Sequence, residues 1–191
     1  MTKIGIIRHG STPWNREGRA QGSSDISLDQ DGILDAYKLA ERLCKENWDF
    51  IYSSDLLRAK RTAEIIGEKI PNIPLYLEPR LREASGGQIE GTTEEERMLK
   101  WGKNWRELDL GIESTDSVIT RGVSVIEEIA SKHDNRNILI VSHGVFIRHL
   151  LKELVPHLNM VESPKNTSIT KLIKAKNGWD SELYNCTIHL E

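Results

Sequence analysis

Residues 137–144 read Asn-Ile-Leu-Ile-Val-Ser-His-Gly, and residues 3–10 read Lys-Ile-Gly-Ile-Ile-Arg-His-Gly. Each stretch is a short apolar run that ends in a polar residue, a histidine and a glycine. Apolar runs of this length are typical of strands that are covered on both faces, as in parallel sheets. The two stretches therefore predict inner strands over Lys3–Ile7 and Asn137–Val141, each with a histidine just beyond its carboxyl end.

The remaining segments alternate between helix-like and strand-like patterns. Apolar residues at three- and four-residue steps predict helices, whereas short apolar runs bounded by turn residues predict strands. The predicted helices are Asp29–Lys45, Leu56–Lys69, Thr92–Leu108, Val118–Lys132 and Val145–Leu154, the further strands are Phe50–Tyr52 and Ile73–Leu77, and a terminal hairpin has arms Ser168–Lys174 and Leu183–Leu190 about Asn177-Gly178. This order predicts an α/β fold, a three-layer α/β/α sandwich whose mostly parallel mixed sheet carries helices on both faces.

Length and charge exclude several classes of protein. A chain of 191 residues matches one domain, here predicted over residues 1–191. Lysine plus arginine number 26 and aspartate plus glutamate 29, for a formal net charge of −3, and no basic run suits a nucleic-acid binder. The aliphatic runs are far shorter than the ~20 residues of a membrane span. With no signal-peptide pattern before the first strand, we expect a cytoplasmic protein that associates with neither nucleic acid nor membrane.

The two cysteines point to no special chemistry. Cys44 and Cys186 lie far apart and form no Cys-x-x-Cys pair, so they predict neither a zinc site nor an oxidising compartment. Cys44 continues the apolar stripe of the helix predicted over Asp29–Lys45, and we therefore expect it in the core. The Cys-x₅-Arg loop of a cysteine phosphatase is excluded, because Phe50 stands where its arginine would be.

The two histidines define a candidate site. Ligand sites in open α/β sheets form at the carboxyl ends of the strands, where His9 and His143 are both predicted. The glycine after each histidine, Gly10 or Gly144, lets the backbone turn and approach a ligand without a Cβ in the way. Either tripeptide alone is weak evidence, but two at equivalent positions predict that both histidines face one pocket.

Arginines and amides near these histidines indicate which ligand the pocket binds. Arg8 precedes the first histidine, and Arg58 falls in the first turn of a helix that follows a strand end. Forked guanidinium donors suit a dianionic phosphoryl group. Asn15 and the Gln21-Gly22 turn can add neutral donors. The sequence therefore predicts a pocket for a small phosphorylated metabolite or phosphate ester, with no metal ligand set and no cofactor.

These residues resemble those of the histidine phosphatase superfamily, which includes the cofactor-dependent phosphoglycerate mutases. The resemblance spans residues 3 to about 170, in the family's order. The matching runs are Arg8-His9-Gly10-Ser11-Thr12-Pro13-Trp14-Asn15, Gly18-Arg19-Ala20-Gln21-Gly22, Leu28 through Gly32, Ser53-Ser54-Asp55-Leu56-Leu57-Arg58, Arg61-Thr62-Ala63, Leu81-Arg82-Glu83 and Ser142-His143-Gly144.

The resemblance implies a role for each matching position. His9 is expected to be the phosphorylated nucleophile and Glu83 the proton donor, while Arg8, Arg58 and His143 hold the phosphoryl group. Asn15, Gln21, Gly22 and Gly144 are expected to contact phosphate or substrate. The small phosphatases of this family hydrolyse phosphate monoesters without a metal, and that is the activity we expect.

One segment departs from the family pattern. Family members often carry an aromatic-Gly-x-Trp-Glu-Gly sequence after the donor glutamate, whereas this chain has Gly86-Gly87-Gln88-Ile89-Glu90-Gly91, without either aromatic residue. It begins a predicted lid at about residues 86–116. The lid's helical stripe contains Met98, Trp101 and Trp105, which either line the pocket or anchor the lid, and the stripe favours anchoring.

Two alternative functions remain open at this point. A phosphoglycerate mutase would use the same pocket but return the phosphoryl group to a sugar acid, and such enzymes are typically longer than this chain. A family member without catalytic activity would only bind phosphorylated ligands, although every expected catalytic position is filled here. The oligomeric state, the physiological substrate and the attacking nitrogen of His9 also remain open.

Overall fold

The computed structural model describes all 191 residues. In chain order the elements are β1 (Lys3–Arg8), α1 (Pro13–Glu17), α2 (Gln30–Leu43), β2 (Phe50–Ser53), α3 (Leu57–Lys69), β3 (Leu75–Leu77), α4 (Glu94–Trp101), α5 (Thr115–Lys132), β4 (Asn137–Ser142), α6 (Gly144–Leu154), β5 (Ile169–Ala175) and β6 (Gly178–Cys186). Short 3₁₀ turns lie at Pro79–Leu81, Gly87–Ile89, Trp105–Glu107 and Ile188–Leu190. None of the helices combines the length and apolar character needed to cross a bilayer.

All six strands form one mixed sheet in the order β3-β2-β4-β1-β5-β6. The four strands β3, β2, β4 and β1 run parallel, whereas β5 and β6 pair antiparallel at one edge. The central position of β1 and β4 confirms the prediction from their apolar runs. In their register Arg8 is opposite Ser142, so the residues that follow, His9 and His143, leave the same edge of the sheet side by side.

The sheet is covered on both faces, as the sequence predicts. Along β4 the side chains of Ile138 and Ile140 belong to a core that includes α5 and α6, whereas Leu139 and Val141 belong to one that includes α2 and α3. Successive residues of a strand point to opposite faces, so an uninterrupted apolar run serves both cores. Burying each such side chain stabilises the folded state by about 1.5–3 kcal/mol. This packing holds β1 and β4, and therefore the residues that follow them, in place.

Three local expectations are wrong in detail. The helix predicted over Thr92–Leu108 ends at Trp101, because Gly102 adopts a positive φ of 84° and closes it. The second hairpin arm begins directly at Gly178 rather than at Leu183, because strand pairing starts at the turn itself. Cys44 is exposed, since α2 ends at Leu43 and the cysteine lies beyond the buried stripe.

Candidate active site

The loops after β1 and β4 bring the two histidines together. The His9 backbone N–H donates to the Ser142 carbonyl at 3.0 Å, which ties the two strand ends to each other. The imidazole ring centroids of His9 and His143 are 5.2 Å apart, and the side chains are 2% and 0% exposed. The two imidazoles are therefore adjacent at one edge of the sheet, although only His9 is among the residues that line the cavity described below.

Hydrogen bonding determines the tautomer of His9. Its Nδ1 lies 2.7 Å from the Gly10 carbonyl oxygen, which can only accept, so Nδ1 carries the proton and Nε2 carries the lone pair. Burial, followed by the charges of Arg8 and Arg58, lowers the pKa of His9 well below its usual value. The imidazole is therefore neutral at pH 7, with a lone pair on Nε2 that is available to attack an electrophile.

Arg58 is buried and Arg8 is half-buried, and backbone carbonyls hold both guanidinium groups. Arg58 donates to the Ser24 carbonyl at 2.7 Å and the Gly22 carbonyl at 2.8 Å, and Arg8 donates to the Pro164 carbonyl at 2.7 Å. Each keeps its Nε buried without a hydrogen-bond partner. Burial lowers the pKa of Arg58 to about 10, with the nearby Glu83 charge acting against that shift, so the guanidinium stays protonated at pH 7.

Two amides present free donors to the same space. The Asn15 Oδ1 accepts from the Asn166 Nδ2 at 3.2 Å, and the Gln21 Oε1 accepts from the Thr12 hydroxyl at 3.0 Å. Because both amide oxygens are occupied, the NH₂ groups of Asn15 and Gln21 are left to bind an acceptor. Both residues line one cavity of about 260 Å³ together with Arg8, His9 and Arg58.

Glu83 reaches this cavity from the segment after β3. Its carboxylate accepts three backbone N–H groups, from Ala84 at 2.9 Å, Phe146 at 2.8 Å and Val145 at 3.1 Å. The last two belong to the first turn of α6, so Glu83 caps that helix in place of a side chain from its N-cap residue. Glu83 also lines the cavity, together with Arg8, His9 and Arg58.

Arg121 holds the segment that carries Glu83. Its guanidinium donates to the carbonyls of Arg80 and Arg82 at 2.8 Å and to that of Glu83 at 3.2 Å. The remaining donors contact both oxygens of Glu113 at 2.8 and 3.0 Å, and this pairing lowers the pKa of Glu113 to about 2. Arg121 therefore links the base of the 86–116 segment to the backbone of Glu83.

Other predicted site residues fall in different places. Gly22 lines the cavity, but Gly144 does not, and a Cβ built on Gly144 would lie 3.2 Å from the Arg8 guanidinium. Gly144 therefore makes room for an arginine rather than for a ligand. His143 is not among the residues that line the cavity, and its ring lies against that of His9. The cavity wall contains none of Met98, Trp101 and Trp105, and Trp105 is buried within the 86–116 segment.

The structure adds residues that the sequence reasoning did not identify. Arg19 lines the cavity but is paired with Glu17 at 2.6 Å and Glu96 at 2.7 Å. The outer wall is apolar, formed by Ala20, Ala84, Ile89, Ile112 and Val145. Ser54, which directly follows β2, contacts the His143 ring. The paired serines at the end of β2 are the available sequence signal, but only the packed sheet shows that one of them contacts a histidine.

The model of the histidine phosphatase superfamily (branch 1) matches residues 4–187 of the chain. The chain belongs to the histidine phosphatase superfamily. Phosphoglycerate mutase-like protein 4 from Arabidopsis thaliana is 33% identical over 201 residues, which cover 99% of this chain and 87% of the relative. This membership confirms the resemblance seen in the sequence.

Solved structures of superfamily members show the same architecture. YhfR from Bacillus stearothermophilus aligns with a TM-score of 0.90 and 30% identity, covering 100% of both chains. A mutant phosphoserine phosphatase from Entamoeba histolytica, in complex with phosphoserine, aligns with a TM-score of 0.83 and 29% identity, again over 100% of both chains. The predicted α/β sandwich is thereby confirmed as the fold of this family.

Proposed function

We propose that this histidine phosphatase superfamily member hydrolyses phosphate monoesters through a phosphohistidine on His9. One observation carries the proposal. Three buried nitrogens that lack any protein partner, Arg8 Nε, Arg58 Nε and His143 Nδ1, belong to side chains around the free Nε2 of His9. Buried donors without partners cost free energy, and neither arginine has a carboxylate ion-pair partner, so an anionic ligand that accepts from these groups would stabilise them.

In the first step the ester phosphate enters this cluster of donors. The Nε2 lone pair of His9 attacks phosphorus while the phosphorus–oxygen bond to the alcohol breaks, so an N–P bond replaces an O–P bond. Charge spreads over the three equatorial oxygens, and the fixed arginines stabilise it. Glu83 gives its proton to the departing alcohol oxygen. Its Oε2 is suited to hold that proton, because it accepts only one N–H, from Val145 at 3.1 Å.

In the second step water hydrolyses the phosphohistidine. The Glu83 carboxylate takes a proton from the water as its oxygen attacks phosphorus, and the N–P bond breaks to restore His9. Inorganic phosphate then leaves, and Glu83 is protonated again for the next turnover. Glu90 is unsuited to this role. Glu90 is not among the residues that line the cavity, and both of its carboxylate oxygens already accept hydrogen bonds, from the Ser24 hydroxyl and from the Ser23 and Gly86 N–H groups.

Membership of the histidine phosphatase superfamily is also compatible with the mutase reaction, in which the phosphoryl group is returned to a sugar acid. That reaction needs a free cation for the second anionic group of the substrate. Arg19 is the remaining cation of the cavity, and two glutamates already neutralise it. We therefore favour hydrolysis, and turnover of phosphoglycerate with and without a bisphosphate primer distinguishes the two reactions.

The decisive experiment traps the intermediate. Rapid quench of the protein with a ³²P-labelled aryl phosphate should yield an acid-labile, base-stable adduct that maps to His9. Turnover should persist in a strong chelator, because the proposed cations are side chains, and vanadate should inhibit by mimicking five-coordinate phosphorus. A label on any other residue, or activity that chelation abolishes and added metal restores, would reject the mechanism.

A further inference from the structure

Ser54 is a buried hydroxyl that contacts a histidine of the site. It follows β2, is 0% exposed, and places its Oγ 2.8 Å from His143 Nε2. The His143 Nδ1 is buried and has no protein partner. Only Nε2 of this imidazole has a hydrogen-bond partner. The partner therefore decides which of the two nitrogens carries the proton.

The surroundings of Ser54 settle the direction of that hydrogen bond. The Leu56 backbone N–H donates to Ser54 Oγ at 3.3 Å, so the oxygen already accepts one bond. No other acceptor lies within reach of the hydroxyl proton, and His143 Nε2 is the partner left for it. If Nε2 carried the proton instead, the Ser54 hydroxyl would be a buried donor without an acceptor, which costs free energy.

We infer that Ser54 is a positioning residue that donates to His143 Nε2 and so keeps a proton on His143 Nδ1, which serves as a donor to a phosphoryl group bound beside His9. The inference rests on the proposed function, since the donor is useful only if phosphate binds there. With the opposite tautomer, His143 would present a lone pair to an anion and repel it. A neutral imidazole can stabilise the developing charge only through an N–H that is directed at it.

The charge state of His143 makes this control necessary. Burial lowers its pKa well below the usual value, and Arg58, His9 and Arg8 lower it further. A protonated imidazole would have a donor on both nitrogens, but the neutral ring has only one. Both histidines therefore carry the proton on Nδ1, but they differ in which nitrogen is free. The Gly10 carbonyl keeps the proton of His9 on Nδ1, so Nε2 has a lone pair, and Ser54 keeps the proton of His143 on Nδ1 by donating to its Nε2, so that Nδ1 is a donor.

Nitrogen NMR of the histidine-labelled full chain tests the tautomer directly. In the resting native protein at pH 7, the His143 signal, assigned by its absence from His143→Gln, should show a protonated Nδ1 and an unprotonated Nε2. Added inorganic phosphate should shift the Nδ1–H resonance. A native protein with the proton on Nε2 would overturn the inference, whatever the activity.

Two serine variants give the functional arm. Ser54→Ala should lose the fixed tautomer and lower kcat on a phosphate ester about 10–100-fold, the effect typical of an outer partner of an imidazole. Ser54→Thr, which keeps the hydroxyl, should restore the native tautomer and recover activity. Ser53→Ala is the matched control, because Ser53 is equally buried but donates to the Ser54 carbonyl at 2.8 Å. An unchanged His143 tautomer in Ser54→Ala would overturn the role of Ser54.

These outcomes separate the inference from the proposed function. A native protein with the Nδ1–H tautomer but no labelled His9 after quenching would reject the phosphohistidine mechanism and retain the tautomer assignment. A labelled His9 together with a His143 that carries its proton on Nε2 would retain the phosphohistidine mechanism and reject the tautomer assignment. If Ser54→Ala fails to fold, the native spectrum and Ser54→Thr still decide the question.

Discussion

Arg58 in the strand-end pocket and Arg97 in the 86–116 segment are both buried, and both keep an unpartnered Nε. Their surroundings differ in charge. Arg97 lies over the Trp105 ring at 4.8 Å and pairs with Glu94 at 3.2 Å, whereas Arg58 contacts only carbonyl oxygens and has no carboxylate ion-pair partner. Glu94 neutralises the buried charge of Arg97 within the 86–116 segment, whereas no carboxylate forms an ion pair with Arg58 in the pocket.

The comparison shows how to distinguish a functional cation from a structural one. A buried guanidinium with a carboxylate and an aromatic ring stabilises its own segment, because its charge is already neutralised there. A buried guanidinium that faces a cavity without a counterion stabilises the fold only when an anion is bound. Substitutions in the pocket should therefore abolish chemistry, and substitutions in the 86–116 segment should change local order.

The largest effect is expected for the nucleophile. His9→Ala should reduce turnover to background and abolish the quenched adduct, because no other imidazole lines the cavity. Inorganic phosphate should still bind, since Arg8 and Arg58 remain. His157→Ala, which changes an exposed histidine with a side chain 63% exposed, is the control and should be fully active. Adduct formation in His9→Ala would contradict the assignment.

The second-largest loss of activity is expected for Glu83→Gln, and its size should depend on the leaving group of the ester. Alkyl phosphates should lose ~10²–10⁴ in single-turnover phosphoryl transfer, because a poor leaving group needs a proton. Aryl phosphates should transfer their phosphoryl group at a near-native rate. This fast first turnover should appear as a burst before a slow steady state, since the second step also uses the carboxylate. Glu95→Gln alters an exposed glutamate of the 86–116 segment and serves as the comparison. Equal losses on both ester types would exclude Glu83 as the acid.

His143→Ala should slow phosphoryl transfer by ~10²–10³, the usual loss when one donor to a developing charge is removed. The loss should be similar for alkyl and aryl esters, because the proposed role of His143 is to donate to the phosphoryl group rather than to the alcohol. Single-turnover rates on both esters measure this. A leaving-group dependence like that of Glu83→Gln would mean that His143 takes part in proton transfer.

Arg121 joins the two regions, and a smaller effect is expected there. Arg121→Met removes the contacts to the Arg80, Arg82 and Glu83 carbonyls and to Glu113, so the Glu83 carboxylate should lose its fixed position. Alkyl phosphates should lose up to about 10²-fold, as expected for misplacement of an acid, and aryl phosphates much less. Arg148→Met, on the exposed face of α6, is the matched control. A uniform loss on both esters would indicate general destabilisation.

The smallest effect on chemistry is expected inside the 86–116 segment. Trp105→Ala removes a ring that Arg97 and Arg106 contact at 4.8 and 4.2 Å, and truncating a buried tryptophan costs about 3–5 kcal/mol. Hydrogen exchange within residues 86–116 should quicken, while kcat on a small aryl phosphate stays close to native. A loss of kcat as large as that of Glu83→Gln would show that the segment takes part in the chemistry.

Much of the site could be predicted from the sequence because its parts are local. The apolar runs over Lys3–Ile7 and Asn137–Val141 encode inner strands, and a histidine that follows such a strand must emerge at the ligand-binding edge. Family motifs then locate Arg58 and Glu83 without any coordinates. The end of α4 was less predictable, since a helical stripe continues past Gly102 in sequence although the backbone turns away there.

Only the tertiary structure determines the state of each group. His9, Arg58 and His143 are visible as residue types, but proton positions depend on which atoms of distant segments lie at hydrogen-bond distance. The Gly10 carbonyl assigns the lone pair of His9 to Nε2, and Ser54, 89 positions before His143, contacts its Nε2. Sequence determines which chemical groups are present at the strand ends. Folding decides their charge, tautomer and free donors, because burial and directed hydrogen bonds act only between packed atoms.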